Sequence, residues 1–229
     1  MKTLGLIGGL SWFSTAVYYE TINRIVGEKL GGGSSAKLIL YSVDFKEFKA
    51  LLDAGNWGQI ELLLSGIAGR LEKAGADCLM MCSNTPHVVA ELVKAKIGIP
   101  LLNIAEETAR EIAGRRLGRV ALLGTKFTME QPFFKESLLK YGIQPVIPCA
   151  ADRESINSSI FKELTKGVFR AETRAKYQAI IEALGNEGAE GVIFGCTEIS
   201  RLISGADCRL PVFDTTAIHC KAAADFSLS

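Results

Sequence analysis

The chain has 229 residues, enough for one large domain or two of about 100 residues each. Hydrophobic residues make up 48% and charged residues 22%, and 26 basic side chains balance 25 acidic ones to a formal net charge of +1. This mixture suits a globular protein with a real core, and it excludes both a basic nucleic-acid stripe and a long charged tail.

The first apolar run, Leu4 to Ile7, reads as a buried strand, with glycines rather than a signal-peptide core after it. The Gly5-Leu6-Ile7-Gly8-Gly9 stretch lacks G-x-G-x-x-G spacing and a GK[ST] element, so it carries no phosphate-loop signature. A helix is expected through Ser14 to Lys29, a strand at Leu38 to Val43 and a helix over Gln59 to Ala74. Cys78 to Met81 reads as a strand, followed by a turn and a helix through Val88 to Ala95. Leu101 to Ile104 and Val120 to Leu123 continue the alternation. Strands alternating with helices of this length predict an α/β fold with largely parallel sheets. No stretch reaches the roughly 18 uninterrupted apolar residues that cross a bilayer. The expectation is a cytoplasmic protein with a small-molecule partner, and neither nucleic acid nor membrane. Six cysteines in such a chain are expected as reduced thiols. With two histidines and no paired C-x-x-C elements, no zinc site is expected.

The chain also repeats itself. Gly75-Ala76-Asp77-Cys78-Leu79-Met80-Met81-Cys82-Ser83-Asn84-Thr85 lies over Gly188-Ala189-Glu190-Gly191-Val192-Ile193-Phe194-Gly195-Cys196-Thr197-Glu198 without a gap. The offset is 113 residues, from Ser83 to Cys196. Ile99-Pro100-Leu101-Leu102-Asn103 matches Leu210-Pro211-Val212-Phe213-Asp214 at 111, and Leu6-Ile7-Gly8-Gly9 matches Leu122-Leu123-Gly124-Thr125 at 116. Any two strand-turn-helix units share a glycine-alanine start and an apolar run, but not the polar tail that follows each one here. The chain therefore reads as two similar, pseudo-symmetric α/β domains, residues 1–98 and 99–209. The C-terminal residues 210–229 are expected to pack back on the first.

In open α/β sheets, ligands bind beyond the carboxyl ends of strands, which is where both polar tails lie. Facing halves would put Ser83 and Cys196 on opposite walls of one cleft. That arrangement suits removal of a proton from one face of a carbon and its return to the other. A thiol is a suitable base, because its pKa can fall at a helix N-terminus. Asn84, Thr85 and Thr197 offer hydroxyls, an amide and nearby backbone donors for a substrate carboxylate. Glu198 is a partner for an ammonium group or a structural residue. Thr125 ends another strand and is a further candidate contact. His87 is placed to cap the following helix or to support the site, and His219, near Asp214, reads as structural.

These residues resemble the aspartate/glutamate racemase family over the whole chain. The resemblance is carried by Gly5-Leu6-Ile7-Gly8-Gly9-Leu10-Ser11-Trp12, Asn84-Thr85-Pro86-His87 and Gly195-Cys196-Thr197-Glu198. It implies two similar α/β domains, a homodimer, and racemisation of aspartate, glutamate or a close relative without pyridoxal phosphate or metal. Leu10 and Ser11 become candidate substrate contacts on the same basis. In the usual members two opposed cysteines are the acid and base. Here Ser83, not a cysteine, precedes Asn-Thr, and Cys82 stands one residue earlier. The internal alignment pairs Cys196 with Ser83, and a one-residue step in an extended segment turns the side chain to the other face. Ser83 is thus favoured for the site and Cys82 is the alternative. Members resembling this one, with a hydroxyl opposite one cysteine, form a branch biased toward L-aspartate and L-glutamate. An unassisted hydroxyl is a poor base, so a slow or kinetically asymmetric racemase is expected.

A substrate side-chain carboxylate calls for a cation, for which Lys46, Lys126 and Lys166 are candidates. Lys166 is preferred only because the family has a substrate-binding lysine in a similar stretch. Other readings are a single-cysteine decarboxylase or a hydantoin racemase using Cys196, or a noncatalytic amino-acid-binding protein.

Overall fold

The computed structural model describes residues 1–229 as two compact units, Met1–Ile104 with His219–Ser229, and Ala105–Ile218. In the first, strands β1 (Leu4–Gly8), β2 (Leu38–Ser42), β3 (Cys78–Met81) and β4 (Leu101–Leu102) form one parallel sheet in the order β2-β1-β3-β4. In the second, β5 (Arg119–Gly124), β6 (Gln144–Val146), β7 (Gly191–Gly195) and β8 (Val212–Asp214) form another in the order β6-β5-β7-β8. The alternation read from the sequence is thus an α/β fold of two parallel four-stranded sheets. Pro145 is tolerated in β6 because that strand lies at an edge of its sheet.

The repeat holds at the level of register. Leu6 pairs with Met80 and Leu122 with Ile193, while Leu79 pairs with Leu101 and Val192 with Val212. These pairs reproduce the sequence offsets of 116, 113 and 111. The acidic residue that opens each repeat has one task in both copies. Asp77 accepts from the Thr3 N–H at 2.6 Å, and Glu190 accepts from the Gly118 and Arg119 N–H groups at 2.6 and 2.9 Å. Each carboxylate ties the start of its strand to the neighbouring strand. Pairing also assigns the connecting segments: β4 extends the first sheet and β8 the second, and residues 219–229 return to the first unit.

Strands buried on both faces read as unbroken apolar runs, as parallel sheets require. β1, β3 and β7 are buried throughout. In the second unit Ala121, Leu123, Val192 and Phe194 enter one core with helix Ala171–Asn186, while Val120, Leu122 and Ile193 enter another with Phe134 and Leu138. The period of two along each strand is visible in that division.

Helix Trp12–Leu30 follows β1 through the glycine turn. Thr15 Oγ1 accepts from the Gly9 N–H at 2.9 Å and donates to the Ser11 carbonyl at 3.0 Å, locking turn to helix. Gly9 has φ 77°, and a Cβ there would lie 2.1 Å from the Val43 carbonyl oxygen. The glycine is explained by this close approach of two backbones.

Candidate active site

Four strand ends carry the residues of interest. In the second unit β5 and β7 are neighbours, with Gly124 paired to Gly195, so Thr125 and Cys196 emerge side by side. A Cβ on Gly195 would meet Thr128 Cγ2 at 2.8 Å and the Leu123 carbonyl oxygen at 3.0 Å, which explains the glycine before Cys196. Thr125 is buried and caps helix Lys126–Glu130, its hydroxyl accepting from the Thr128 N–H at 3.3 Å. Beyond β8, Thr215 Oγ1 donates to the Phe194 carbonyl at 2.9 Å and fixes the end of β7. Thr216 Oγ1 lies 3.5 Å from Thr197 Oγ1, and Asp214 accepts from the Thr216 N–H at 2.8 Å. Thr215 and Thr216 were not foreseen as neighbours of Cys196. The signal was present in the match of Pro211-Val212-Phe213-Asp214 to the Pro100 segment, which marked another strand end of the same sheet.

Half-buried Cys196 donates its thiol proton to Glu198 Oε2 at 2.9 Å, and Glu198 is itself buried. Burial pushes the thiol pKa well above its ordinary value, the Glu198 charge pushes it further, and the hydrogen bond to that carboxylate adds to both. The sequence suggested the opposite direction, toward thiolate at a helix N-terminus. The helix that follows, Ile199–Leu202, is a single turn and its field is outweighed by a buried carboxylate in direct contact. Cys196 therefore rests as a thiol bonded to a proton acceptor.

In the first unit Cys82 is wholly buried in a cluster with Leu4, Tyr18, Cys78, Met80 and Cys220. It shares a face with Cys78 and Met80 by the strand period, and burial drives its thiol pKa far up. Ser83 is half-buried at the turn after β3, its N–H bonded to the Met81 carbonyl at 2.8 Å. Asn84 and Thr85 are buried, the latter opening a 3-10 helix, Thr85–Val89. Leu10 is buried and Ser11 half-buried in the turn after β1, the strand adjacent to β3.

The chain matches the model of the Asp/Glu/hydantoin racemase family over residues 7–223. It belongs to that family. Among solved structures it is similar to a candidate Asp/Glu racemase from Yersinia pestis, 47% identical with a TM-score of 0.96, each chain fully covered. It is also similar to an aspartate racemase homologue from Pyrococcus horikoshii, 34% identical with a TM-score of 0.89 over the whole of both chains. The broad specificity amino-acid racemase RacX of Bacillus subtilis is 24% identical over 96% of this chain and 95% of that one. The resemblance first carried by three short motifs thus extends along the chain.

Of the candidate cations Lys46 and Lys166 are exposed and Lys126 is half-buried. Lys126 forms an ion pair with Glu154. Lys46 lies in the first turn of helix Phe45–Asp53, and Lys166 ends the 3-10 turn Leu164–Lys166. All six cysteines are free thiols, no cluster of three or more metal-binding side chains occurs, and no helix is long and apolar enough to cross a membrane.

Proposed function

We propose that this protein racemises an acidic amino acid, aspartate or glutamate, without a cofactor, with Cys196 exchanging the α-proton on one face and Ser83 serving the other. The observation that carries the reading is the 2.9 Å hydrogen bond from the Cys196 thiol to the buried Glu198 carboxylate. Glu198 takes the thiol proton, and the thiolate so formed takes the α-proton of the substrate. When Cys196 acts as the acid, the pair starts in the form that this abstraction leaves, with thiol and carboxyl both protonated: the thiol proton goes to the planar carbanion and Glu198 passes its proton to sulfur. The buried pair therefore carries a proton in either direction without leaving a lone charge on sulfur at rest.

Ser83 is assigned to the opposite face because it holds the position of Cys196 in the other copy, and because Cys82 is committed to a core. Asn84, Thr85, Thr125 and Thr197, with the Leu10-Ser11 turn, are proposed to bind the substrate α-carboxylate and ammonium, and Lys166 its side-chain carboxylate. The acidic substrate is supported by the likeness to the Yersinia candidate Asp/Glu racemase and the Pyrococcus aspartate racemase homologue. A homodimer working in the cytoplasm is proposed from the family resemblance; the free thiols suit a reducing compartment.

The deciding experiment is α-proton exchange in deuterium oxide with both enantiomers of aspartate and glutamate, beside a hydantoin and a malonate. Exchange with aspartate or glutamate that disappears in Cys196→Ala supports the reading. Binding without exchange, or exchange untouched by Cys196→Ala, refutes it.

A further inference from the structure

We infer that His87 is a positioning residue for the proposed Ser83 half-reaction, its ring holding the Ser83 carbonyl in place of a backbone donor that Pro86 removes. The inference rests on the reading of Ser83 as the group that serves one face of the substrate.

The two copies satisfy the same carbonyl in different ways. In the second, the Cys196 carbonyl accepts from the Ile199 N–H at 3.1 Å, a normal closing bond three residues on. The residue at Ile199's place in the first copy, at the same offset of 113, is Pro86, which has no N–H to give. The next donor, the His87 N–H, is taken by the Asn84 carbonyl at 3.0 Å. The Ser83 carbonyl is instead bonded by the His87 ring, with Nδ1 2.9 Å away. A carbonyl oxygen only accepts, so Nδ1 carries the proton. At His87's place in the second copy stands Ser200, whose buried hydroxyl has no partner. With Ile199 donating from the backbone, no side-chain donor is required there.

The His87 ring is itself fixed. It is almost wholly buried and meets the His219 ring edge-on, with centroids 5.7 Å apart. His219 Nε2 donates to the Leu102 carbonyl at 3.0 Å, which leaves its Nδ1 to accept from the Tyr18 hydroxyl, also at 3.0 Å. Tyr18 stands on helix Trp12–Leu30, Leu102 on β4 and His219 on helix Thr215–Leu228. Three elements thus fix the His219 ring, and the His87 ring that bonds the Ser83 carbonyl packs edge-on against it. Burial keeps both imidazoles neutral, His87 with its pKa lowered to about 4, so neither is a proton carrier at neutral pH.

The test measures α-deuterium exchange on each enantiomer of aspartate and glutamate in wild type, Ser83→Ala, His87→Ala, His87→Asn and His87→Gln. Asparagine places its amide N–H where Nδ1–H was, whereas glutamine reaches the Nε2 position. His87→Ala is expected to slow, by about 10- to 100-fold, exchange on the enantiomer that Ser83→Ala disables, through kcat rather than KM, while the other enantiomer changes by less than about threefold. His87→Asn should restore most of the loss and His87→Gln little. Equal slowing of both enantiomers, or no difference between Asn and Gln, overturns the positioning role. If Ser83→Ala slows neither enantiomer, the reading beneath it fails instead. Independently of any variant, histidine nitrogen NMR at neutral pH should find His87 as the Nδ1–H tautomer, and an Nε2–H tautomer overturns the proposal.

Discussion

The Cys196 sulfur and the Glu198 carboxylate are joined by a 2.9 Å hydrogen bond at the end of a buried parallel strand. The contact has two consequences of opposite sign. It raises the pKa of the thiol, and it places a base where the thiol proton can go.

Glu198→Gln separates these consequences. Removing the charge takes away the second-largest cause of the raised pKa and leaves the largest, burial. The thiol of the variant is therefore expected to titrate at lower pH than in wild type while staying above an ordinary cysteine. α-Proton exchange is nevertheless expected to fall by about 100-fold or more, because glutamine cannot accept the proton. Thiolate absorbance against pH, measured beside the exchange rate, checks both signs. A rise in exchange would show that thiolate population alone limits the rate.

Cys82 and Ser83 differ by one residue and are expected to respond in opposite ways. Cys82→Ala removes a buried sulfur from the core around Tyr18 and Met80, and is expected to cost about 1–2 kcal/mol of stability with exchange kinetics little changed. Ser83→Cys supplies a thiol at the turn and is expected to make the forward and reverse rates more alike, with little effect on stability. Denaturant melts and initial rates from each enantiomer distinguish the two sites. Loss of activity in Cys82→Ala at unchanged stability would return the role to Cys82.

Much of this was legible because the strands are short, buried and repeated. The bounds of β3 coincide with the Cys78 to Met81 run, and the offsets 116, 113 and 111 reappear as strand registers. The segment after β3 was less legible. A helix over Val88 to Ala95 was expected, but the chain forms a 3-10 turn at Thr85–Val89 and then a short helix, Ala90–Lys94. Pro86 shifts the hydrogen-bond pattern there, an effect that apolar periodicity does not carry. Helix Phe45–Asp53 was missed, although Asp44 caps it by accepting from the Lys46 N–H at 2.7 Å. The sign of the Cys196 shift was also beyond the sequence, since it depends on how deeply Glu198 is buried.

Gly195→Ala tests the packing behind the strand end that carries Cys196. The added methyl would meet Thr128 Cγ2 at 2.8 Å and backbone at 3.0 Å, so the strand or helix Lys126–Glu130 must move. A loss of about 1–3 kcal/mol is expected, with a fall in exchange because Cys196 is the next residue. Thr128→Ser, which removes the opposing methyl, is expected to recover part of both losses. Melting curves and rates of the single and double variants measure that coupling. Full additivity would place the strain elsewhere.

The buried histidine pair sets a pH limit on stability. Burial lowers the pKa of His87 from 6.5 to about 4 and that of His219 from 6.5 to about 3. Between those values and 6.5 the unfolded chain binds protons that the folded chain refuses. Their contribution is therefore fully present above pH 6.5 and is lost as the pH falls toward 4. From pH 7 to pH 5 the expected loss is about 2 kcal/mol per histidine. Asp207 and Asp225 have pKa values lowered from 3.8, so they titrate below this window. His219→Gln keeps an amide where Nε2–H bonds Leu102 and cannot be protonated. Its melting temperature is expected to be lower than wild type at pH 7 but to fall about half as steeply toward pH 5. An unchanged slope in that variant would mean that His219 takes up its proton without unfolding.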